Sequence, residues 1–177
     1  MKKILRTFVC LCLAVGAAAF SACSAAPKTT SLTIADLRAT SESMLADLYA
    51  CGVLDTVAED FPDGRPVITV GKIIDRTSCR VQTSVLANRI FDSLSRGGHV
   101  AVMSSDQYAR EVAEYEKLLG GDDSVQLPAL VLSGKIYEGY VREGRVETRN
   151  YELRLALNKG ATEIWSNTQA IDKSREY

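Results

Sequence analysis

From Glu147 to Leu157 the sequence alternates with a period of two: Tyr151, Leu153, Leu155 and Leu157 point one way, Glu152 and Arg154 the other. Side chains change sides at every residue of a strand but share a face every 3.6 residues on a helix. The stretch is therefore a strand that needs a core beneath one side. A second strand is expected before it, Leu130 to Val141, interrupted by Gly134. A third follows, Thr162 to Ile171, and holds the single tryptophan, Trp165. Turn signals at Glu143-Gly144 and at Lys159-Gly160 make both connections antiparallel hairpins.

The first half of the chain has the other period. Thr33-Ile34-Ala35-Asp36 reads as a capping box. Ile34, Leu37, Met44, Leu45 and Leu48 then form one apolar helical face, and Gly52 supplies a stop. Pro66 to Ile73, rich in β-branched residues, is a buried strand after the turn-rich Phe61 to Pro66. A second helix spans Val81 to Ser95 and ends at Gly97-Gly98, and His99 to Met103 is a short strand. A third helix is capped by Ser104 and runs to Leu119 before Gly120-Gly121. The order of elements gives an α/β (α+β) fold: a mixed sheet of about four to five strands flanked by about three helices and ending in antiparallel hairpins. Residues 34–177 form a single globular domain on this reading, a size that supports a core without staples.

Residues 1–22 stand apart from that domain. Lys2, Lys3 and Arg6 precede an uncharged apolar run from Phe8 to Phe20, followed by Ser21-Ala22, the layout of a secretory signal. The run is shorter than the about 20 residues needed to span a membrane. Phe20-Ser21-Ala22-Cys23 resembles a bacterial lipobox, in which the Cys23 thiol accepts a diacylglycerol; an ordinary signal with an incidental cysteine is the alternative. Ser24, rather than Asp, after Cys23 fits the outer membrane, with the domain facing the periplasm and the membrane met through the lipid anchor alone. Residues 23–33 form the lipidated end and a tether. Ten extended residues reach about 35 Å. Removing residues 1–22 lowers Lys plus Arg from 21 to 18 against 22 acids, about −4, which argues against a nucleic-acid partner.

Two cysteines follow the tether. Cys51 and Cys79 either pair as a disulfide in an oxidising compartment or lie as separate small apolar side chains. No CxxC motif is present and His99 is the single histidine, so neither a metal site nor a cofactor is expected. No Gly-rich phosphate loop and no G-x-S-x-G elbow occurs, and enzymatic chemistry has no positive support. Tyr137, Tyr140 and Trp165 are candidate partner-contact residues, or else they pack between sheet and helix.

Several stretches in order resemble one family: Arg65-Pro-Val-Ile-Thr-Val-Gly with Asp75-Arg-Thr-Ser, Val85 to Leu94 with Gly97-Gly98-His99, Leu130 to Ile136, Tyr151 to Leu157, and Glu163-Ile-Trp-Ser. Behind a lipobox this set resembles the LpoB family of lipoprotein activators of penicillin-binding proteins. The resemblance covers about Leu37 to Ser174. It implies a fold similar to the TolB N-terminal domain and a non-enzymatic role. That role is docking on a class A penicillin-binding protein and stimulating peptidoglycan synthesis; service in the assembly of another envelope complex, such as a secretion or surface-fibre channel, is the alternative on the same scaffold. Well-known members carry a long tether, whereas this one has about ten residues. The family also places a further helix where this chain has only Gly121 to Pro128.

Overall fold

The computed structural model describes residues 30–61, 63–118 and 129–176. The apolar run, Cys23 and Gly120-Gly121 lie outside these residues. The elements are α1 (Ile34–Ala50), α2 (Val53–Ala58), β1 (Val67–Arg76), α3 (Thr83–Gly97), β2 (Ala101–Met103), α4 (Ser105–Leu118), β3 (Leu130–Glu143), β4 (Val146–Lys159) and β5 (Thr162–Glu176). Their five strands form one mixed sheet in the order β2-β1-β3-β4-β5. β1 lies parallel to β2 and β3, and β3, β4 and β5 are antiparallel.

Local chemistry sets the ends of the elements. Thr33 caps α1: its hydroxyl accepts the Asp36 N–H at 3.2 Å, and the Asp36 carboxylate accepts the Thr33 N–H at 3.0 Å. Gly52, at φ 75, ends α1 as expected and at once begins α2, which the sequence reading did not include. Six residues are too few to display a helical period, but α2 buries Leu54 and Val57 beside Phe61. α3 starts at Thr83 rather than Val81 because Asp75 holds the preceding loop. The Asp75 carboxylate accepts the N–H of Thr77 at 2.8 Å and of Val81 at 2.7 Å.

Both hairpins close with two-residue loops, Gly144-Arg145 and Gly160-Ala161. Their glycines sit at φ 57 and 58, where a left-handed first loop residue matches the twist of the flanking strands. Gly134, read as an interruption, is a packing requirement. A Cβ there would lie 3.0 Å from Leu155 Cδ2 and 3.3 Å from the Arg154 carbonyl oxygen.

The two crossovers, β1-α3-β2 and β2-α4-β3, move in opposite directions across the sheet. Right-handed connections therefore place α3 and α4 on opposite sides. α1 and α3 pack together and cover one side, α3 over β1 and β2, α1 over β4 and β5. Leu37, Met44 and Leu48 of α1 and Leu86, Ile90 and Leu94 of α3 meet Ile68, Ile73, Leu132, Ile136, Leu153, Leu155 and Leu157 there. Tyr151, Leu153, Leu155 and Leu157 are at most 1% exposed, as their alternation requires. The other side of β3, β4 and β5 carries exposed polar residues, among them Lys135, Glu152, Arg154 and Thr168. No described helix is long and apolar enough to cross a membrane.

Candidate protein-contact surface

Strand lengths create an arm. β1 ends at Arg76, level with Tyr137 of β3, while the β3–β4 pairing runs on from Glu138↔Tyr151 to Glu143↔Val146. Beyond Tyr137 no described strand pairs with the arm on its β3 side, while β5 flanks its β4 side as far as Val146↔Glu176. Four of the five exposed large apolar side chains among the described residues lie on it: Tyr137, Tyr140, Val141 and Val146, with Tyr140 at 54% and Val141 at 56%. Strand alternation puts Tyr137, Val141 and Val146 on the side away from α1 and α3. Tyr140 lies on the other side with Glu138, Glu147, Arg149 and Tyr151.

A polar cluster braces the base of the arm. Arg149 donates to Glu138 at 2.8 Å, to Glu147 at 3.0 Å and to Ser78 Oγ at 3.3 Å. Its guanidinium carbon also lies 5.6 Å from the centre of the Tyr140 ring. Hydrogen bonds to Glu147 and then Glu138 raise the Arg149 pKa further and keep it charged. Burial by itself would raise the Glu138 carboxyl. The Ser78 N–H at 2.6 Å and Arg149 outweigh it and hold that carboxyl below its usual range. Ser78 belongs to the β1–α3 loop, so the cluster ties loop and arm together.

Tyr151 ties in a third segment. Its hydroxyl donates to the Thr30 carbonyl at 2.9 Å and lies 3.1 Å from Cys79 Sγ. Burial first, then the neighbouring Cys79 and Glu138, raise the phenol pKa and keep it neutral. In the Tyr151–Cys79 pair either atom can be the donor. Thr30, the first described residue, thus lies beside the base of the arm.

The residues singled out from the sequence separate in space. Tyr137 and Tyr140 are exposed but on opposite sides of the arm. Trp165 is 9% exposed and lies under α1, with its indole N–H on Asp47 Oδ2 at 3.2 Å. Cys51 and Cys79 are both free thiols, so the candidate disulfide is absent. The reason is geometric. Cys51 follows the last turn of α1 and its thiol donates to the Leu48 carbonyl. Cys79 lies near Thr30, at the other end of a helix about 25 Å long. A disulfide needs Cα atoms within about 7 Å. Cys23 lies outside the described residues.

Val141, Val146, Glu138 and Arg149 were not singled out from the sequence. For Val141 and Val146 the signal was their apolar character beside the Glu143-Gly144 turn, where a hairpin tip is normally polar; Glu138 and Arg149 carried none. Two surface hollows lie among the described residues. One, of about 280 Å³, lies between Lys135, Arg154, Asn158 and Glu163, where Arg154 and Glu163 already neutralise each other at 2.8 and 2.9 Å. The other, of about 410 Å³, is bounded by Gly71, Lys72, Asn88, Phe91 and Ser104. His99 is in neither: its ring lies 5.3 Å from that of Tyr49. No group of three or more His, Cys, Asp or Glu able to hold a metal ion occurs among the described residues.

A search of curated protein sequences finds no match. Among solved structures, the PelC L103M dodecamer from Paraburkholderia phytofirmans is similar at 19% identity, over 62% of this chain and 73% of that one, with a TM-score of 0.40. The LpoB C-terminal domain from Salmonella enterica is similar at 16% identity over 60% and 82%, TM-score 0.36. Lipoprotein GNA1162 from Neisseria meningitidis is similar at 11% identity over 62% and 83%, TM-score 0.35. The family model for the peptidoglycan-synthase activator LpoB matches residues 36–171, from the first turn of α1 well into β5. Spanning more than half of the chain, that match makes this protein a member of the LpoB family.

Proposed function

We propose that this chain is a non-enzymatic envelope lipoprotein that binds a class A penicillin-binding protein and raises its rate of peptidoglycan synthesis, using the β3–β4 arm as a main contact. Family membership supports the activator role. The observation that carries the choice of surface is the exposure of Tyr137, Tyr140, Val141 and Val146 on the β3–β4 arm where it runs on past the end of β1, Tyr140 on one side and the other three together on the opposite side. Exposed aromatic and branched side chains on a braced backbone lose little freedom on binding and are the usual anchors of protein contacts. In this reading residues 1–22 are the export signal, Cys23 carries the lipid at the outer membrane, and residues 34–177 are one domain in the periplasm.

The Tyr151–Thr30 bond makes the reach shorter than the ten-residue tether implies. About seven residues separate Cys23 from Thr30, at most about 25 Å of extended chain. The arm base sits beside Thr30, so in this reading the partner must present its docking site close to the anchoring membrane. Binding of the chain to immobilised class A penicillin-binding proteins from the same cell tests the proposal. Saturable binding that weakens with Val141→Asp is expected; no binding to any of them sinks it.

A further inference from the structure

β3 outruns its neighbour. β1 stops at Arg76, level with Tyr137, and the chain leaves the strand at Thr77 for the loop to α3. From Gly139 to Glu143 no backbone hydrogen bond reaches β3 outside its pairing with β4, among the described residues. In an antiparallel pair every second residue turns its N–H and carbonyl away from the partner strand. Here those groups line an open edge about 17 Å long. The β3–β4 pairing runs from Leu130 to Glu143 with no register shift, and the open stretch holds neither lysine nor proline. Bulges, lysine and proline are the usual means of closing an edge to strand addition.

The apolar groups beside this edge are divided. Tyr140 projects on the side of α1 and α3, Tyr137 and Val141 on the other, and all three are exposed. A flat partner laid against one side leaves the other in water. A strand seated along the edge touches both, because its own side chains alternate between the two sides and lie about 5 Å from those of β3. The free charges beside the edge are mostly of one sign. Arg76 ends β1, Arg80 stands in the loop that Ser78 ties to Glu138, and Arg142 is on the edge itself. None of the three has an ion pair among the described residues. The neighbouring carboxylates are engaged: Asp75 by the N–H groups of Thr77 and Val81, Glu138 by Ser78 and Arg149, Glu147 by Arg149. Glu143, beside the turn, is the one acid of β3 left without a bond.

We propose that the open edge of β3 from Gly139 to Glu143 takes up an extended, acidic segment of the partner as an added strand, a reading that rests on the arm as the contact surface. Main-chain bonds to the edge supply the attachment, and the alternating side chains of the segment supply the choice of partner. Apolar side chains of the segment cover Tyr140 on one side and Tyr137 and Val141 on the other. Its carboxylates meet Arg142 on the edge and Arg76 and Arg80 at the end of β1. A basic segment in the same place would set like charges against all three arginines. The bonds from Arg149 to Glu138 and Glu147 hold the strand pair before the partner arrives, which lowers the ordering cost of binding.

The test is amide hydrogen exchange, resolved by residue, of the chain from Ser24 onward with and without a class A penicillin-binding protein from the same cell. Alternate amides between Gly139 and Glu143, those directed away from β4, are expected to slow at least about tenfold in the complex, while the amides already bonded to β4 keep their rates. Arg76→Glu, an exposed change at the end of β1, is expected to weaken binding about tenfold, and Arg76→Lys to keep most of it. Saturable binding with unchanged exchange from Gly139 to Glu143 overturns strand addition and leaves the activator reading standing. Slowed exchange with binding indifferent to Arg76→Glu overturns the acidic occupant. Absence of binding to every such protein overturns this proposal and the activator reading together.

Discussion

Removing the Tyr151 hydroxyl isolates the bond that anchors the chain ahead of α1. In Tyr151→Phe the ring stays in place, fully buried, and only the hydroxyl contacts are lost. The bond to the Thr30 carbonyl at 2.9 Å is well formed and partly buried, so its loss is worth about 1 kcal/mol. The contact with Cys79 Sγ at 3.1 Å involves a weak sulfur partner, and that with Glu138 at 3.4 Å is long; together they add a few tenths at most, roughly 0.5 kcal/mol. The sum is about 1–1.5 kcal/mol, or about 2–6 °C in melting temperature for a domain of this size. Urea unfolding is expected to give a lower midpoint with an unchanged slope, because no apolar surface is released. The freed Cys79 thiol is expected to react faster with an alkylating reagent while Cys51 reacts at its original rate. Unchanged stability together with unchanged Cys79 reactivity would refute the claim that this hydroxyl joins tether, loop and arm.

Further predictions test other parts of the fold. Burial alone would raise the Asp36 carboxyl, but bonds from Lys173 and Thr33 outweigh it and hold its pKa below the ordinary value of 3.8. A carboxylate lowered in the folded state stabilises above the unfolded value and loses that contribution as pH falls through the folded one. Stability measured against pH should therefore drop below about pH 4, and Asp36→Asn should flatten that limb while costing about 0.5–2 kcal/mol at neutral pH through the weakened cap. Gly134→Ala, whose new methyl meets Leu155 and the Arg154 carbonyl, should destabilise by about 1–3 kcal/mol in chemical denaturation. Mass spectrometry of the unreduced domain after alkylation should find both Cys51 and Cys79 modified, with Cys51, the exposed one, modified first.

The sheet half of the fold was readable because burial there follows the simplest pattern. Alternation located β4, and glycines at the two hairpins set the register of β3, β4 and β5. What escaped was decided by features that hydrophobic periodicity does not register. α2 is shorter than the window in which a helical period can be seen. The first turn expected of α3 was displaced by the Asp75 carboxylate. The arm was legible only in part. Tyr137 and Tyr140 were picked out as aromatics, but whether they project depends on where β1 stops, a property of a strand 60 residues away. Trp165 was grouped with them on residue type, yet Asp47 of α1 draws its indole inward. Cys51 and Cys79 were candidates to pair because sequence spacing does not reveal that a whole helix separates them.

The most direct measurement is the glycan polymerisation rate of a class A penicillin-binding protein from the same cell, with and without the purified domain. The account predicts a rate increase that saturates with added domain and is lost with Tyr140→Ala and Val141→Asp. Both positions are exposed, so stability should stay within about 0.5 kcal/mol of the parent. No rate increase would contradict the activator assignment for this chain. An increase that survives both arm substitutions would contradict the arm as the contact surface.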